Sequence, residues 1–280
     1  MTAIPATGTQ VRERVSAART RRWGAWYVAE HRLRVMKNYG WTIVVGAIGT
    51  PLIYLFAFGL GLARVVDAGA DVQSTFGASF LLFVAPALLA TAAMMIASEE
   101  FTFTIVSGFN WNPVFFGMNA SPIAPAQIVA GLLIAVGIRM VATLAVYFGI
   151  MLLFGAIGSG WAVLSIVTAT IAGTSVGILL AGFSATLDPD RGHLTLVMRF
   201  VITPLFLFSG TFFPLTQLPI WLQWIGWISP LWHGSEAGRI LSYGSMGDAG
   251  MLAVHILYPA ALIVLGTTLA VRVFTRRLNK

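Results

Sequence analysis

The chain has 280 residues, of which 58% are hydrophobic and only 10% charged, with a mean hydropathy of +0.84. Soluble globular domains carry about a quarter charged residues, so this composition excludes one and points to a polytopic membrane protein with a single helical bundle. The net charge of +7 then speaks of topology rather than nucleic acid, and the lack of cysteine removes disulfides, thiol catalysis and cysteine metal sites.

Residues 1–40 hold eight of the 17 basic side chains, opposed only by Glu13 and Glu30. No short apolar core with a cleavage site follows, so this end is not a cleaved signal and is expected to stay in the cytoplasm. Residues 1–21 read as a basic, disordered tail. Residues 22–39 mix Trp23, Trp26, Tyr27, Leu33 and Met36 with Arg32, Arg34 and Lys37, the pattern of a helix lying in the membrane interface.

Apolar runs follow at 41–62, 76–97, 125–154, 161–183, 194–213 and 251–274, each long enough to span a bilayer. Arg64, Asp67 and Asp71 mark an outside loop, and Asp188, Asp190 and Arg191 a connection between the fourth and fifth runs. Six spans return the basic C-terminus (Arg272, Arg276, Arg277, Lys280) to the side of the basic N-terminus, as the positive-inside rule requires. The expected fold is therefore all-α, a single transmembrane domain over 22–280 with both termini cytoplasmic.

Between the last two runs, 219–241 is too short to span and too apolar for a water-exposed loop. Pro219 and Pro230 each open a helix. The segment reads as two half-length helices entering one membrane face, carrying Trp221, Trp224 and Trp227 and then His233, Glu236 and Arg239.

The loop expected at 98–124 contains Glu99 and Glu100 but no lysine or arginine. Within it, residues 111–118 form a short amphipathic piece. Either Trp111, Phe115 and Phe116 seat in a groove on a soluble partner, or the same residues lie flat in the membrane interface. Arg139 falls inside the third run, facing a bundle interior or snorkelling to the headgroups. His255 reads as a packing residue. Ser165, Ala169, Gly173, Gly177 and Ala181 recur every four residues, a small-side-chain ridge for close helix approach within one subunit.

The stretch SGTFFPLTQLPIWLQWIGWISPLWHGSEAGRIL resembles the C-terminal signature of type-2 ABC exporter permeases, closest to the nodulation-factor, polysaccharide and daunorubicin-type subgroup. PLIYLFAFGLGL at 51–62, FLLFVAPALLATA at 80–92 and FTFTIVSGFNWNPVFFGMNASPIAP at 101–125 fit the same pattern. The resemblance implies a permease paired with a second permease, identical or related, on two cytoplasmic ATPase subunits in a bacterial plasma membrane. It places ATPase coupling at Glu99, Glu100, Thr102, Trp111, Phe115, Phe116 and Met118. Translocation-path candidates are Tyr54, Phe56, Phe58, Arg139, Phe206 and Phe208. The half-helices at 219–241 are implied to cap the conduit outside. Asn112-Pro113 departs from a continuous coupling helix, so docking is expected to begin at Pro113.

The chain cannot supply a phosphate-cradling loop of the Gly-x-x-x-x-Gly-Lys-[Ser/Thr] type, because its only lysines are Lys37, after Met36, and Lys280. ATP and Mg therefore belong to the partner ATPase, no cofactor is expected here, and the chain is not an enzyme by itself. Membrane lipid is the remaining expected partner, with an amphiphilic, lipid-linked or drug-like cargo. The alternative is an ion-coupled secondary transporter, which needs a buried mid-membrane carboxylate or an internal repeat. All ten acids fall in expected loops or ends, and no repeat is evident.

Overall fold

In the computed structural model, residues 8–68, 78–187, 192–243 and 249–280 are described, and among them every regular element is helical. The expected positions of Asp71, Asp188, Asp190 and Arg191 lie outside these residues. In chain order the helices are α1 (Gly8–Asn38), α2 (Gly40–Asp67), α3 (Phe80–Trp111), α4 (Val114–Ala120), α5 (Pro125–Leu153), α6 (Gly160–Ser184), α7 (His193–Phe208), α8 (Ile220–Ile228), α9 (Pro230–Ser242) and α10 (Ala249–Leu278). Five of them, α2, α3, α5, α6 and α10, are long and apolar enough to cross a membrane.

Two expectations about the N-terminal half need correction. Residues 8–21 continue α1 and are not an unstructured tail, consistent with a stretch from 9 to 23 that no glycine or proline interrupts. Helix α3 does not end at Ala97 but runs on through Glu99 and Glu100 to Trp111, closing with a π-helical turn over Ser107–Trp111. The "loop" at 98–124 thus shrinks to a helix tip, a break at Asn112-Pro113 and the short α4. The fifth apolar run is also shorter than expected. Helix α7 stops at Phe208, where Gly210 adopts φ +70° and turns the chain before Pro214.

Helix α3 is the central post, with 72% of its apolar window buried. It packs on α6, α9 and α5, and α6 packs in turn on α10. The small-residue ridge of α6 makes the close approach possible. A Cβ on Gly173 would lie 2.7 Å from the Ala93 backbone, and one on Gly177 would lie 2.4 Å from Phe101. The ridge therefore serves packing within one subunit, the reading the spacing suggested.

Helix α1 is not merely laid on a membrane surface. Val28, Ala29 and Met36 are buried, and Gly131 of α5 lets the Ala25 carbonyl and the Val28 side chain approach it directly. Gln127 fastens the junction by donating to the Arg21 carbonyl at 2.7 Å. Trp23, Trp26 and Tyr27 face outward, away from this contact. By contrast α2 and α10 bury only about a quarter or less of their apolar windows, leaving broad apolar flanks.

Replacing Gly173 by valine forces backbone apart at the α3–α6 contact. We expect a loss of about 1–3 kcal/mol, read as a lowered melting temperature of the detergent-solubilised chain, whereas Gly137→Val, where nothing lies within 4 Å of a Cβ, costs far less.

Candidate functional site

The last four turns of α3 carry Glu99, Glu100, Thr102 and Trp111 of the coupling candidates. Glu100 is buried and shared by two guanidinium groups. Its Oε2 accepts from Arg32 Nη2 of α1 at 2.6 Å, and its Oε1 accepts from Arg139 Nη1 of α5. Arg32 Nη2 also donates to Thr104 Oγ1 at 2.6 Å, and Thr104 Oγ1 stands 3.3 Å from Glu100 Oε2. A buried carboxylate is tolerable when both oxygens are matched in this way. Burial, then the charge of Glu100, holds the neighbouring Tyr39 phenol above its ordinary pKa, so it stays protonated. Arg139 accordingly points into the bundle rather than toward headgroups. Thr102 is buried too, its hydroxyl spent on the Ser98 carbonyl at 2.6 Å, while Glu99 is exposed.

Beyond Val106 the helix tip is built on an aromatic cluster. The rings of Phe109, Phe115 and Phe274 lie within 4.9 to 5.5 Å of one another. Arg277 of α10 covers Phe109 at 4.4 Å and donates to the Ala185 carbonyl at 2.8 Å, the Leu187 carbonyl at 2.7 Å and Asn110 Oδ1 at 2.5 Å. Gly108 makes room for this arrangement, since a Cβ there would meet the Phe115 ring at 2.4 Å. Phe115 is therefore an anchor at 2% exposure, not part of an outer face. Trp111 at 63% and Phe116 at 42% are exposed, as are Asn112, Pro113 and Gly117, and Met118 is half-buried. Neighbouring residues on a helix point about 100° apart, which is why Phe115 and Phe116 part company.

The half-helices differ from each other. On α8, Trp221, Trp224 and Trp227 are all exposed. Helix α9 is driven into the bundle against α3, α6 and α10. There Arg239 covers the Phe83 ring at 3.6 Å and donates through Nε to the Phe83 carbonyl at 3.1 Å, through Nη2 to the Gly210 carbonyl at 2.6 Å and through Nη1 to Glu236 at 2.6 Å. His233 Nε2 must donate to the Trp227 carbonyl at 3.0 Å, so its Nδ1 accepts the proton of His255 Nδ1 at 2.9 Å. His255 is thus one half of a histidine pair, which its scattered sequence position concealed.

Of the path candidates, Tyr54, Phe58 and Phe206 come together through Phe212, which sequence reasoning missed. Centroid spacings are 6.0 Å for Tyr54–Phe58, 4.9 Å for Phe58–Phe212 and 5.2 Å for Phe206–Phe212. Phe56 turns away to meet Phe154 at 5.0 Å, and Phe208 is half-buried outside the string.

Residues 26–243 match the model of the ABC-2 type transporter family. The chain is 27% identical over 231 residues to nodulation protein J of Rhizobium leguminosarum bv. viciae, covering 77% of this chain and 83% of that protein. It is 28% identical over 251 residues to nodulation protein J of Neorhizobium galegae, covering 85% and 87%. It is 27% identical over 238 residues to the daunorubicin resistance ABC transporter permease protein DrrB1 of Streptomyces coeruleorubidus, covering 81% and 77%. No solved structure matches the chain.

Removing the Glu100 carboxylate leaves two part-buried guanidinium groups without their shared counter-ion. Glu100→Ala is expected to destabilise the solubilised chain by about 3–5 kcal/mol, measured by thermal or denaturant unfolding, with Glu99→Ala close to neutral.

Proposed function

The chain belongs to the ABC-2 type transporter family, and from that premise we propose how this permease subunit of an ABC exporter engages its motor. The family implies an ABC ATPase as partner, because the permease does no chemistry of its own. The contact is made by the tip of α3 and by α4, with Trp111 and Phe116 entering a groove on the ATPase. The observation that carries this reading is the contrast within one tip. Phe109, Phe115 and Phe274 lock it from inside under Arg277, while Trp111 and Phe116 are left outside on a rigid support. Exposed aromatics on rigid backbone are the usual anchors of an interface.

Closure of the ATPase pair on ATP and Mg would push this tip. The push passes along α3 to Glu100, and through Arg32 and Arg139 to α1 and α5. In this arrangement α7, with the turn after it, completes six spans, both termini lie on the cytoplasmic side, and α8 and α9 enter from the outer face. The exposed apolar flanks of α2 and α10 suit lipid and a second permease. The aromatic string through Tyr54, Phe58, Phe212 and Phe206 lines the path of an amphiphilic cargo. One relative is named a daunorubicin resistance ABC transporter permease, and resistance to a drug suits export as the direction.

The ion-coupled alternative gains a buried carboxylate in Glu100, which the sequence reading had placed in a loop. Both oxygens of that carboxylate are occupied by guanidinium groups, which disfavours a proton-relay role.

Purification of the chain in mild detergent should bring down a subunit with a phosphate-cradling loop and ATPase activity. Trp111→Ala with Phe116→Ala should lower its recovery by at least tenfold without changing the melting temperature of the permease. Full retention of the ATPase by that double variant would refute the docking assignment.

A further inference from the structure

Helix α2 packs along α5 but meets α3 mainly through its π-helical second half. Its first half therefore stands off α3, and a cavity of about 650 Å³ opens between α2, α3 and α5. That volume suits a drug-sized molecule. One end is formed by Arg32, Glu100 and Arg139 and the other by Tyr54, Leu88 and Tyr147.

The lining is polar in a definite order. Arg139, Thr143 and Tyr147 recur every four residues and so share one face of α5. Two guanidiniums share one buried carboxylate, leaving a surplus positive charge at this end, and the Nε atoms of both arginines are buried without a hydrogen-bond partner. Glu99 also lines this end, but it is exposed, so water screens its charge more than that of the buried cluster. The Tyr147 side chain is 1% exposed, yet its hydroxyl also has no partner. A buried hydroxyl without a partner is costly, and a hydrogen-bonding group brought into the cavity that Tyr147 lines would offset that cost. Arg139 and Tyr147 are eight residues apart, about 12 Å along a helix.

We infer that this cavity binds one amphipathic acid, its carboxylate or phosphate head against Arg32 and Arg139 and a hydrogen-bonding oxygen of its body about 12 Å further on against Tyr147. The inference deepens the exporter reading, on which it rests for its meaning, by giving the class of cargo held within one permease subunit before release. Binding itself requires no ATPase, so the two readings fail separately.

The test is native mass spectrometry of the purified full chain in detergent with stearate, 10-hydroxystearate and methyl stearate in competition. The expected result is one adduct per chain, with the hydroxy acid favoured over stearate by about fivefold and the ester bound least. Tyr147→Phe should leave stearate binding unchanged and abolish the preference for the hydroxy acid. Gly46 lines the cavity, and a Cβ there meets nothing within 4 Å. Gly46→Leu should therefore fill the space, cutting both adducts at least tenfold at an unchanged melting temperature. Equal adducts from all three compounds, or adducts indifferent to Gly46→Leu, would overturn the proposal by assigning the binding to the detergent belt. If acid binding fails while ATPase capture persists, only the cavity assignment falls. If binding holds while no ATPase is captured, only the docking assignment falls.

Discussion

A carboxylate held between two guanidiniums, out of water, is the constraint on which the neighbouring structure depends. An unpaired buried charge is prohibitive, so Glu100 can occupy its place on α3 only if Arg32 of α1 and Arg139 of α5 are both brought to it. Three helices that are distant in sequence are thereby fixed at one level. The same demand holds α1 on the bundle, where Gly131 accommodates Val28, while α2 packs on α5 and only its first half stands apart from α3. The cavity is a consequence of that spacing.

Along α3 the pattern repeats. Arg239 clamps the Phe83 end, Arg32 and Arg139 clamp Glu100, and Arg277 clamps Phe109 near the tip. Phe83 and Phe109 are 26 residues apart, about 39 Å of helix. Between the clamps, alanines of α3 meet glycines of α6 at backbone distance. On its α6 side a post packed this closely transmits a displacement, because interiors at this density repack rather than compress. On the docking proposal, a push on Trp111 and Phe116 would reach the elements that α3 touches, including α9, whose His233–His255 contact ties it to α10 and whose Arg239 ties it to the turn at Gly210.

Much of the fold was legible in the sequence because bilayer thickness dictates the length of apolar runs, and proline and glycine mark their breaks. Pro230 opening α9, the break at Asn112-Pro113 and the α6 ridge were all visible. The end of α3 was not. Glu99 and Glu100 look like loop residues until the partners of Glu100 are known, and those lie 39 and 68 residues away in the chain. Arg139 carried half of the signal, since an arginine inside an apolar run needs a carboxylate, and Glu100 was the acid available to it. Phe115 was misplaced for a local reason. Its neighbour Phe116 has the same chemistry, and only the position of Phe274 and Gly108 decides which ring is buried. The pairing of His233 with His255 had no sequence signal, because no regular spacing connects α9 to α10.

The most direct measurement of the Glu100 knot uses the absence of native cysteine. Spin labels placed at Lys37 on α1 and Trp111 at the tip of α3 report, by electron–electron dipolar spectroscopy in nanodiscs, whether the two helices form one body. The account predicts a single narrow distance for the native charge cluster, and a broadened or shifted distribution when Glu100→Gln is added. An unchanged narrow distance in that variant would mean that packing alone joins the helices and that the buried ion cluster is not what holds them.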